Sequence, residues 1–162
     1  SRITLGEKAL KFIRNNNNAS FEEVKLPGFE LFYMVAKSEK VTAEMIEIFN
    51  QKAKSFGQKK FSQITSHYQS AFNEIESGLA NSNFDLFLSG LEKNSKILRQ
   101  FPLMTKLQEK AYDFALKNGA SFAKISGAGG GGLLIFGGKA LSEKPFIKFA
   151  DENKLIFAKF KV

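Results

Sequence analysis

The decisive stretch of this sequence is Gly127-Ala128-Gly129-Gly130-Gly131-Gly132, which lies between two apolar runs, residues 122–126 and 133–136. Both runs have the composition of β-strands. Five of the 13 glycines of the chain are in this junction. Glycine costs conformational entropy and buries no side chain, and a plain hairpin needs only one or two of them. The excess predicts either several successive positive φ angles or a group that approaches the backbone closely.

Composition limits the class of protein. A chain of 162 residues with 43% hydrophobic and 25% charged residues is typical of one globular domain. No apolar run approaches the roughly 20 residues of a membrane span, and no signal-peptide pattern is present. The absence of cysteine excludes disulfides, thiolate metal sites and a cysteine nucleophile. We therefore expect a cytoplasmic protein without membrane association.

The formal net charge of +8 would permit binding to nucleic acid or to a phosphorylated ligand. However, only three of the 24 basic residues are arginine, and the lysines are scattered along the chain. Arginine is the residue preferred for bidentate contacts to phosphates and base edges. We therefore expect no nucleic-acid partner, and a salt-dependent affinity for DNA or RNA would be needed to change this expectation.

Apolar periodicity predicts three strands near the N-terminus, at residues 10–13, 21–25 and 30–36. The four asparagines 15–18 and the pair Pro27-Gly28 are typical of turns between them. The run 30–36 is almost continuously apolar, which predicts a strand buried on both faces.

Four helical stretches follow. We expect Thr42 to cap the first, Asn83 or Asp85 to start the third, and Leu103 to belong to the fourth. Their expected ends are Gly57, Gly78, the residues before Pro102, and Asn118-Gly119. Beyond the glycine loop, Gly137-Gly138 predicts a turn, 142–150 a short helix and 155–162 a last strand. The chain is thus predicted to be one α+β domain, a small sheet with a helical layer.

The glycine loop does not match either well-known phosphate-binding loop. Leu133 and Leu134 follow the glycines where a P-loop has lysine, and the loop leads into a strand where a dinucleotide-binding loop leads into a helix. What remains is a nest of backbone N–H groups that could bind an anion. A flexible hairpin without any ligand is the alternative.

Other polar residues are weaker candidates. His67 is the only histidine and lies in a helical pattern, so a surface position is the expectation. Asp85, Glu92 and Asp113 are expected to be solvated carboxylates on helix faces. We predict no metal site, because neither a second histidine nor a cluster of carboxylates is present. Lys124 and Ser126 are more interesting because they could direct a cation and a hydroxyl toward an anion at the loop.

Residues 118–132 closely resemble the third conserved motif of the GHMP kinases, the superfamily of galactokinase, homoserine kinase, mevalonate kinase and phosphomevalonate kinase. Residues 94–98, Asn-Ser-Lys-Ile-Leu, are similar to a helix of this family that carries an asparagine followed by leucines. Residues 30–42 are similar to its strand leading to a threonine-capped helix. The resemblance spans about residues 10–136 and is specific only around the glycine loop.

The resemblance implies a C-terminal domain with a ferredoxin-like antiparallel sheet backed by helices. Relatives of this kind transfer the γ-phosphoryl group of ATP, with Mg²⁺, to a small metabolite bound between two domains. In them the loop corresponding to Ser126, Gly127, Ala128, Gly129, Gly130, Gly131 and Gly132 lies near the ATP phosphates and the acceptor. Such a loop suits phosphoryl transfer, which depends mainly on positioned donors around charged oxygens.

The ATP-binding motif of the family, of the form Pro-x-x-x-Gly-Leu-x-Ser-Ser-Ala, is absent from this chain. No catalytic residue can be carried over to it either. We therefore expect residues 1–162 to be the C-terminal half of a two-domain kinase, whose N-terminal domain holds most of the ATP and Mg²⁺ contacts. This half alone is expected to be inactive as a kinase.

The sequence gives conflicting signals about the metabolite that accepts the phosphoryl group. The run Leu133-Leu134-Ile135-Phe136 is more similar to heptose-phosphate and related sugar kinases, because mevalonate kinases usually have cysteine at the position of Leu133. Residues 94–98 are more similar to mevalonate and phosphomevalonate kinases, and we favour that group. A non-catalytic ferredoxin-like binding module is the second alternative. The sequence leaves open whether the protein forms a homodimer.

Overall fold

The computed structural model describes residues 9–15, 18–24, 30–36 and 41–160. The strands and helices follow one another in the order β1 (Ala9–Asn15), β2 (Asn18–Val24), β3 (Glu30–Ala36), α1 (Thr42–Ser55), α2 (Gly57–Ala80), α3 (Phe84–Leu98), α4 (Lys106–Lys117), β4 (Phe122–Ile125), β5 (Gly132–Gly138), α5 (Glu143–Glu152) and β6 (Ile156–Lys159). The predicted turn at the four asparagines 15–18 is shorter than expected, because Asn15 and Asn18 pair as the last residue of β1 and the first of β2. Residues 16–17 and the predicted turn at Pro27-Gly28 lie outside the described residues.

The main sheet has four strands in the order β4-β5-β3-β6, and all neighbouring pairs are antiparallel. The order of elements from β3 to β6, with helices in the two long connections and a direct β4–β5 hairpin, is that of a ferredoxin-like fold. The predicted α+β, ferredoxin-like class is therefore confirmed. The strands β1 and β2 form a separate antiparallel pair.

One face of the main sheet forms the core against α4 and α5. In the register of β3 and β5, Phe32 is opposite Phe136 and Met34 is opposite Leu134, and all four side chains are buried. Phe146 of α5 packs on both Phe32 and Phe136, with ring centroids 6.2 and 4.8 Å away. Because aromatic side chains bury large areas, this cluster fixes how α5 lies on the sheet.

The opposite face of the sheet is only partly covered, which corrects the prediction that β3 is buried on both faces. Leu31, Tyr33 and Val35 are half-buried, in contrast to the buried Phe32 and Met34 beside them. Helix α3 covers this face over β4, where Phe87 and Leu88 pack with Phe122. The alternation shows that apolar composition alone did not distinguish a half-covered central strand from a fully buried one.

Helices α2 and α3 form a closely packed pair. A Cβ atom built on Gly90 of α3 would lie 2.8 Å from the carbonyl oxygen of Ala71 in α2. Since real Cβ atoms do not approach a backbone this closely, glycine at this position allows the two helices to touch.

Several predicted boundaries need correction. The residue before α1 is Val41, so Thr42 is its first helical residue and not its cap. Asn83 does cap α3, because its side chain accepts a hydrogen bond from Leu86 N–H. Leu103 precedes α4, and the cap of that helix is Thr105. Gly137-Gly138 ends β5 and does not form a turn, because β4 and the preceding loop pack against it.

None of the helices in the described residues is long and apolar enough to cross a lipid bilayer.

Candidate functional site: the glycine-rich loop

The loop that joins β4 to β5 has an unusual backbone. Gly127, Gly129, Gly130, Gly131 and Gly132 all have positive φ angles, between 72° and 120°. Residues with a Cβ rarely adopt this conformation, at a cost of about 1–2 kcal/mol each. The prediction of several successive positive φ angles is therefore confirmed, and it explains the number of glycines.

The close approach of another group to the backbone, the second reason predicted for the glycines, also applies at one position. Gly130 N–H donates a hydrogen bond of 2.8 Å to the carbonyl oxygen of Leu103, in the segment between α3 and α4. This bond brings the neighbouring backbone so close that a Cβ on Gly129 would lie 2.2 Å from the same oxygen. Gly129 therefore has no room for a side chain.

The buried side chain of Gln108 holds the far end of the loop. Its Nε2 donates to the carbonyl oxygen of Gly131 over 2.9 Å, and its Oε1 accepts from Gly131 N–H over 3.1 Å. The same Oε1 accepts from Thr105 N–H, and Thr105 Oγ1 accepts from Gln108 N–H. Gln108 thus closes the capping box at the start of α4 and clamps the glycine loop to it.

The near end of the loop presents unused donors. Within the described residues, no acceptor is present for the N–H groups of Gly127, Ala128 and Gly129. Ser126 and Gly127 are exposed, whereas Gly130 and Gly131 are buried. Successive unpaired N–H groups on a held backbone form an anion-binding nest, most favourable for an oxyanion such as a phosphate. The loop is therefore fixed at one end and open to a ligand at the other.

Lys124 lies on β4, two residues before the loop. It lines a small cavity of about 10 Å³ with Ser95, Arg99 and Tyr112, and no loop glycine borders this cavity. Burial lowers the pKa of the Lys124 ammonium group, and no carboxylate in the described part of the chain forms an ion pair with it. The structure thus shows a partly buried cation beside the loop, and its contact with an anion stays a prediction.

The remaining sequence candidates are separate from the loop. Asp85 pairs with Lys139 over 2.6 Å, Glu92 with Lys96 over 2.6 Å, and Asp113 with Arg99 over 2.9 Å. These pairs are exposed, as expected for solvated carboxylates. His67 is exposed on α2, beside Lys93 and Lys96. Across the described ranges, no three histidine or acidic side chains are grouped in a way that could hold a metal ion.

Sequence reasoning missed the residues that hold the loop. Leu103, Thr105 and Gln108 were not predicted to contact it, although the spacing Thr105-x-x-Gln108 is the pattern of a capping box. That pattern could have placed the start of α4 correctly. It could not have shown that Gln108 also bonds to Gly131, because the two residues are 23 positions apart.

Residues 75–142 match the family model described as "GHMP kinases C terminal". The matched segment includes α3, α4, β4 and β5, and therefore the glycine loop together with Gln108. No curated protein sequence matches the chain.

Solved structures of kinases share the fold. L. major mevalonate kinase in complex with R-mevalonate superposes with a TM-score of 0.74 and 16% identity over 94% of this chain and 48% of its own. Streptococcus pneumoniae phosphomevalonate kinase in complex with phosphomevalonate and AMPPNP superposes with a TM-score of 0.64 and 19% identity, over 88% of this chain and 43% of its own. Homoserine kinase from Cytophaga hutchinsonii superposes with a TM-score of 0.56 and 16% identity, over 86% of this chain and 44% of its own.

The family match and the shared fold agree with each other. The resemblance of this chain to the C-terminal domain of the GHMP kinases is therefore confirmed, and its architecture is the one that this domain has in mevalonate, phosphomevalonate and homoserine kinases. The chain spans a little less than half the length of these solved structures.

Gly129→Ala should destabilise the protein strongly. The new Cβ would collide with the carbonyl oxygen of Leu103 in addition to straining the backbone, for a total cost of about 2–4 kcal/mol. Gly127→Ala is the matched control, because its φ is also positive but its Cβ would meet no atom within 4 Å. We expect the control to lose only about 1–2 kcal/mol in urea denaturation. Equal losses for the two variants would show that Leu103 does not constrain the loop.

Lys124→Met should stabilise the protein at neutral pH, because it removes a charge that is unfavourable in the folded state. The expected gain of about 1 kcal/mol raises the Tm by roughly 2–4 °C. The folded-state pKa is lowered, so the unfolded chain binds the proton more tightly and wild-type stability rises with pH toward the usual lysine pKa. The advantage of the variant should therefore shrink as pH increases. Lys117→Met, at an exposed lysine of α4, should show neither effect.

Proposed function

We propose that the chain is the C-terminal half of an ATP-dependent kinase, and that its glycine loop binds a phosphoryl group during transfer to a small metabolite such as mevalonate or phosphomevalonate. The observation that carries this proposal is the set of three unpaired N–H groups at Gly127, Ala128 and Gly129, on a backbone that is anchored at Gly130 and Gly131. Phosphoryl transfer requires donors that are already in place when charge develops on the phosphoryl oxygens.

The anchoring supports this role through preorganisation. A loop of five glycines would lose much conformational freedom on binding a ligand. Here the bonds that Gly130 N–H and Gly131 N–H donate to Leu103 and Gln108 hold one half of the loop before any ligand arrives. The residues of this chain would thus bind and orient the phosphoryl group, and Ser126 and Lys124 would add a hydroxyl donor and a positive charge.

ATP and Mg²⁺ are the cofactors that this function requires. The free N–H groups fit phosphate oxygens, which accept hydrogen bonds from backbone donors. The residues of the described segments do not fit Mg²⁺, since their carboxylates are not grouped and several form exposed ion pairs. We therefore assign Mg²⁺, most ATP contacts and the catalytic residues to an N-terminal domain outside residues 1–162. On this proposal residues 1–162 alone lack kinase activity. We also propose that the whole protein is cytoplasmic.

The preferred acceptors are mevalonate and phosphomevalonate. Support comes from the shared fold with mevalonate kinase bound to R-mevalonate and with phosphomevalonate kinase bound to phosphomevalonate. A sugar or heptose-phosphate kinase of the same superfamily is the alternative that the assay must separate, since the fold is common to kinases with different acceptors.

The test uses the longer protein that contains this chain, assayed for ADP release with mevalonate, phosphomevalonate and heptose phosphates. We expect turnover of one acceptor, and Ala128→Pro, which removes a loop N–H, should lower kcat by about 10²–10³-fold. Ala128→Ser keeps the N–H and should retain most activity.

Thermal unfolding of both variants checks that they fold. Turnover of heptose phosphate alone would overturn the assignment of the acceptor. Failure of every acceptor, or equal activity of the proline and serine variants, would contradict the role of the loop. A protein that folds but neither phosphorylates an acceptor nor binds ATP would favour the alternative of a non-catalytic binding module.

A further inference from the structure

An apolar groove lies between α1, α2 and the end of α3, apart from the glycine loop. Its volume is about 470 Å³, within the range of ligand-binding clefts. Residues that line it include Phe49, Phe61, Ile64, Tyr68, Ile97 and Phe101. Phe49 and Phe101 stack in its floor with ring centroids 4.4 Å apart. The floor is therefore preformed by packed aromatic rings.

Helix α2 leaves part of its apolar stripe uncovered along this groove. Ile64 and Ala71 are buried, whereas Tyr68 and Phe72, on the adjoining side of the helix, are 43% and 42% exposed. Phe61 is half-buried on the same side. From Phe61 to Phe72 the stripe extends over about 16 Å of helix. Exposed aromatic side chains in a row beside a groove are typical of an interaction surface.

The surface next to the groove, at the corner between α1 and α2, is basic. Lys52, Lys54, Lys59 and Lys60 lie around the corner between α1 and α2, and we call these four residues the corner lysines. Lys54 borders a second depression that shares Phe49 and Phe61 with the groove. The ammonium groups of Lys52 and Lys60 both lie 4.8 Å from the ring centroid of Phe56. Within the described residues, none of the corner lysines forms an ion pair.

We propose that this groove binds an acidic amphipathic helix of a partner protein. Apolar side chains at i, i+4 and i+7 of such a helix span about 10 Å, which fits beside Phe61 and Tyr68. Carboxylates on its flank would meet the corner lysines, which form no ion pair with an acidic side chain of the described residues. The partner segment is thus defined by leucine-like anchors on one face and by glutamates or aspartates beside them.

Two other occupants fit less well. A second copy of this chain would bring another net charge of +8 to a basic corner, which is electrostatically unfavourable. Single-stranded RNA would use flat, exposed aromatic faces for base stacking. Phe49 and Phe101 instead stack on each other, and Ile64 and Ile97 line the groove beside them.

The test uses the longer protein that contains this chain, and fluorescent synthetic peptides of about 18 residues, measured by fluorescence anisotropy. The first peptide has leucines at i, i+4 and i+7 with glutamates beside them, the second is its scrambled sequence, and the third has lysine in place of glutamate. We expect the first peptide to bind at least about tenfold more tightly than the other two, with an affinity that falls as salt rises.

Two protein variants locate the site. Tyr68→Ser and the triple variant Lys54→Gln, Lys59→Gln, Lys60→Gln should each weaken binding by about tenfold or more. The control triple variant Lys106→Gln, Lys117→Gln, Lys144→Gln removes the same charge from α4 and α5 and should change the affinity less than about twofold.

Equal binding of the ordered and scrambled acidic peptides, or equal losses in the two triple variants, would show only general attraction to a basic protein and would overturn the proposal. So would a dimer, seen by sedimentation, that Tyr68→Ser dissociates. Tighter binding of a single-stranded RNA oligomer that requires the corner lysines would also overturn it, and would identify the groove as a nucleic-acid site.

Discussion

The side-chain amide of Gln108 is the interaction on which the geometry of the glycine loop depends. An amide carries both a donor and an acceptor, so one buried side chain can satisfy both backbone groups of Gly131. The same Oε1 accepts from Thr105 N–H at the start of α4. Removing this amide would leave several buried polar groups without partners, each at a cost of about 1–3 kcal/mol. The start of α4 and the loop are therefore stabilised together.

The hydrogen bonds of Gln108 explain how a segment so rich in glycine can nevertheless have a fixed backbone. Gly132 pairs with Ala36 at the end of β3, Gly131 is clamped by Gln108, and Gly130 bonds to Leu103. Ser126 N–H donates to the carbonyl oxygen of Leu133, so within the described residues only the N–H groups of residues 127–129 remain available to a ligand. A loop that is held on one side by the sheet and by α4 presents its N–H groups in one arrangement, which is what recognition of a charged oxygen requires.

The sequence predicted the fold class, the helices and the strands on both sides of the loop, because apolar periodicity and glycine positions are local signals. It also predicted the positive φ angles of the loop. It did not predict the bond between Gln108 and Gly131, since such a contact depends on how α4 lies against the sheet. The sequence also overestimated the burial of β3. Tyr33 and Val35 are apolar, but their composition does not show that the layer on their side of the sheet is incomplete.

Amide hydrogen exchange of the loop, followed by NMR in the ligand-free protein, tests the central claim most directly. The account predicts slow exchange for Gly130 and Gly131, whose N–H groups are buried and bonded, and fast exchange for Gly127, Ala128 and Gly129, whose N–H groups are unpaired. Uniformly fast exchange across all five residues would show that Leu103 and Gln108 do not hold the loop, and would contradict the account.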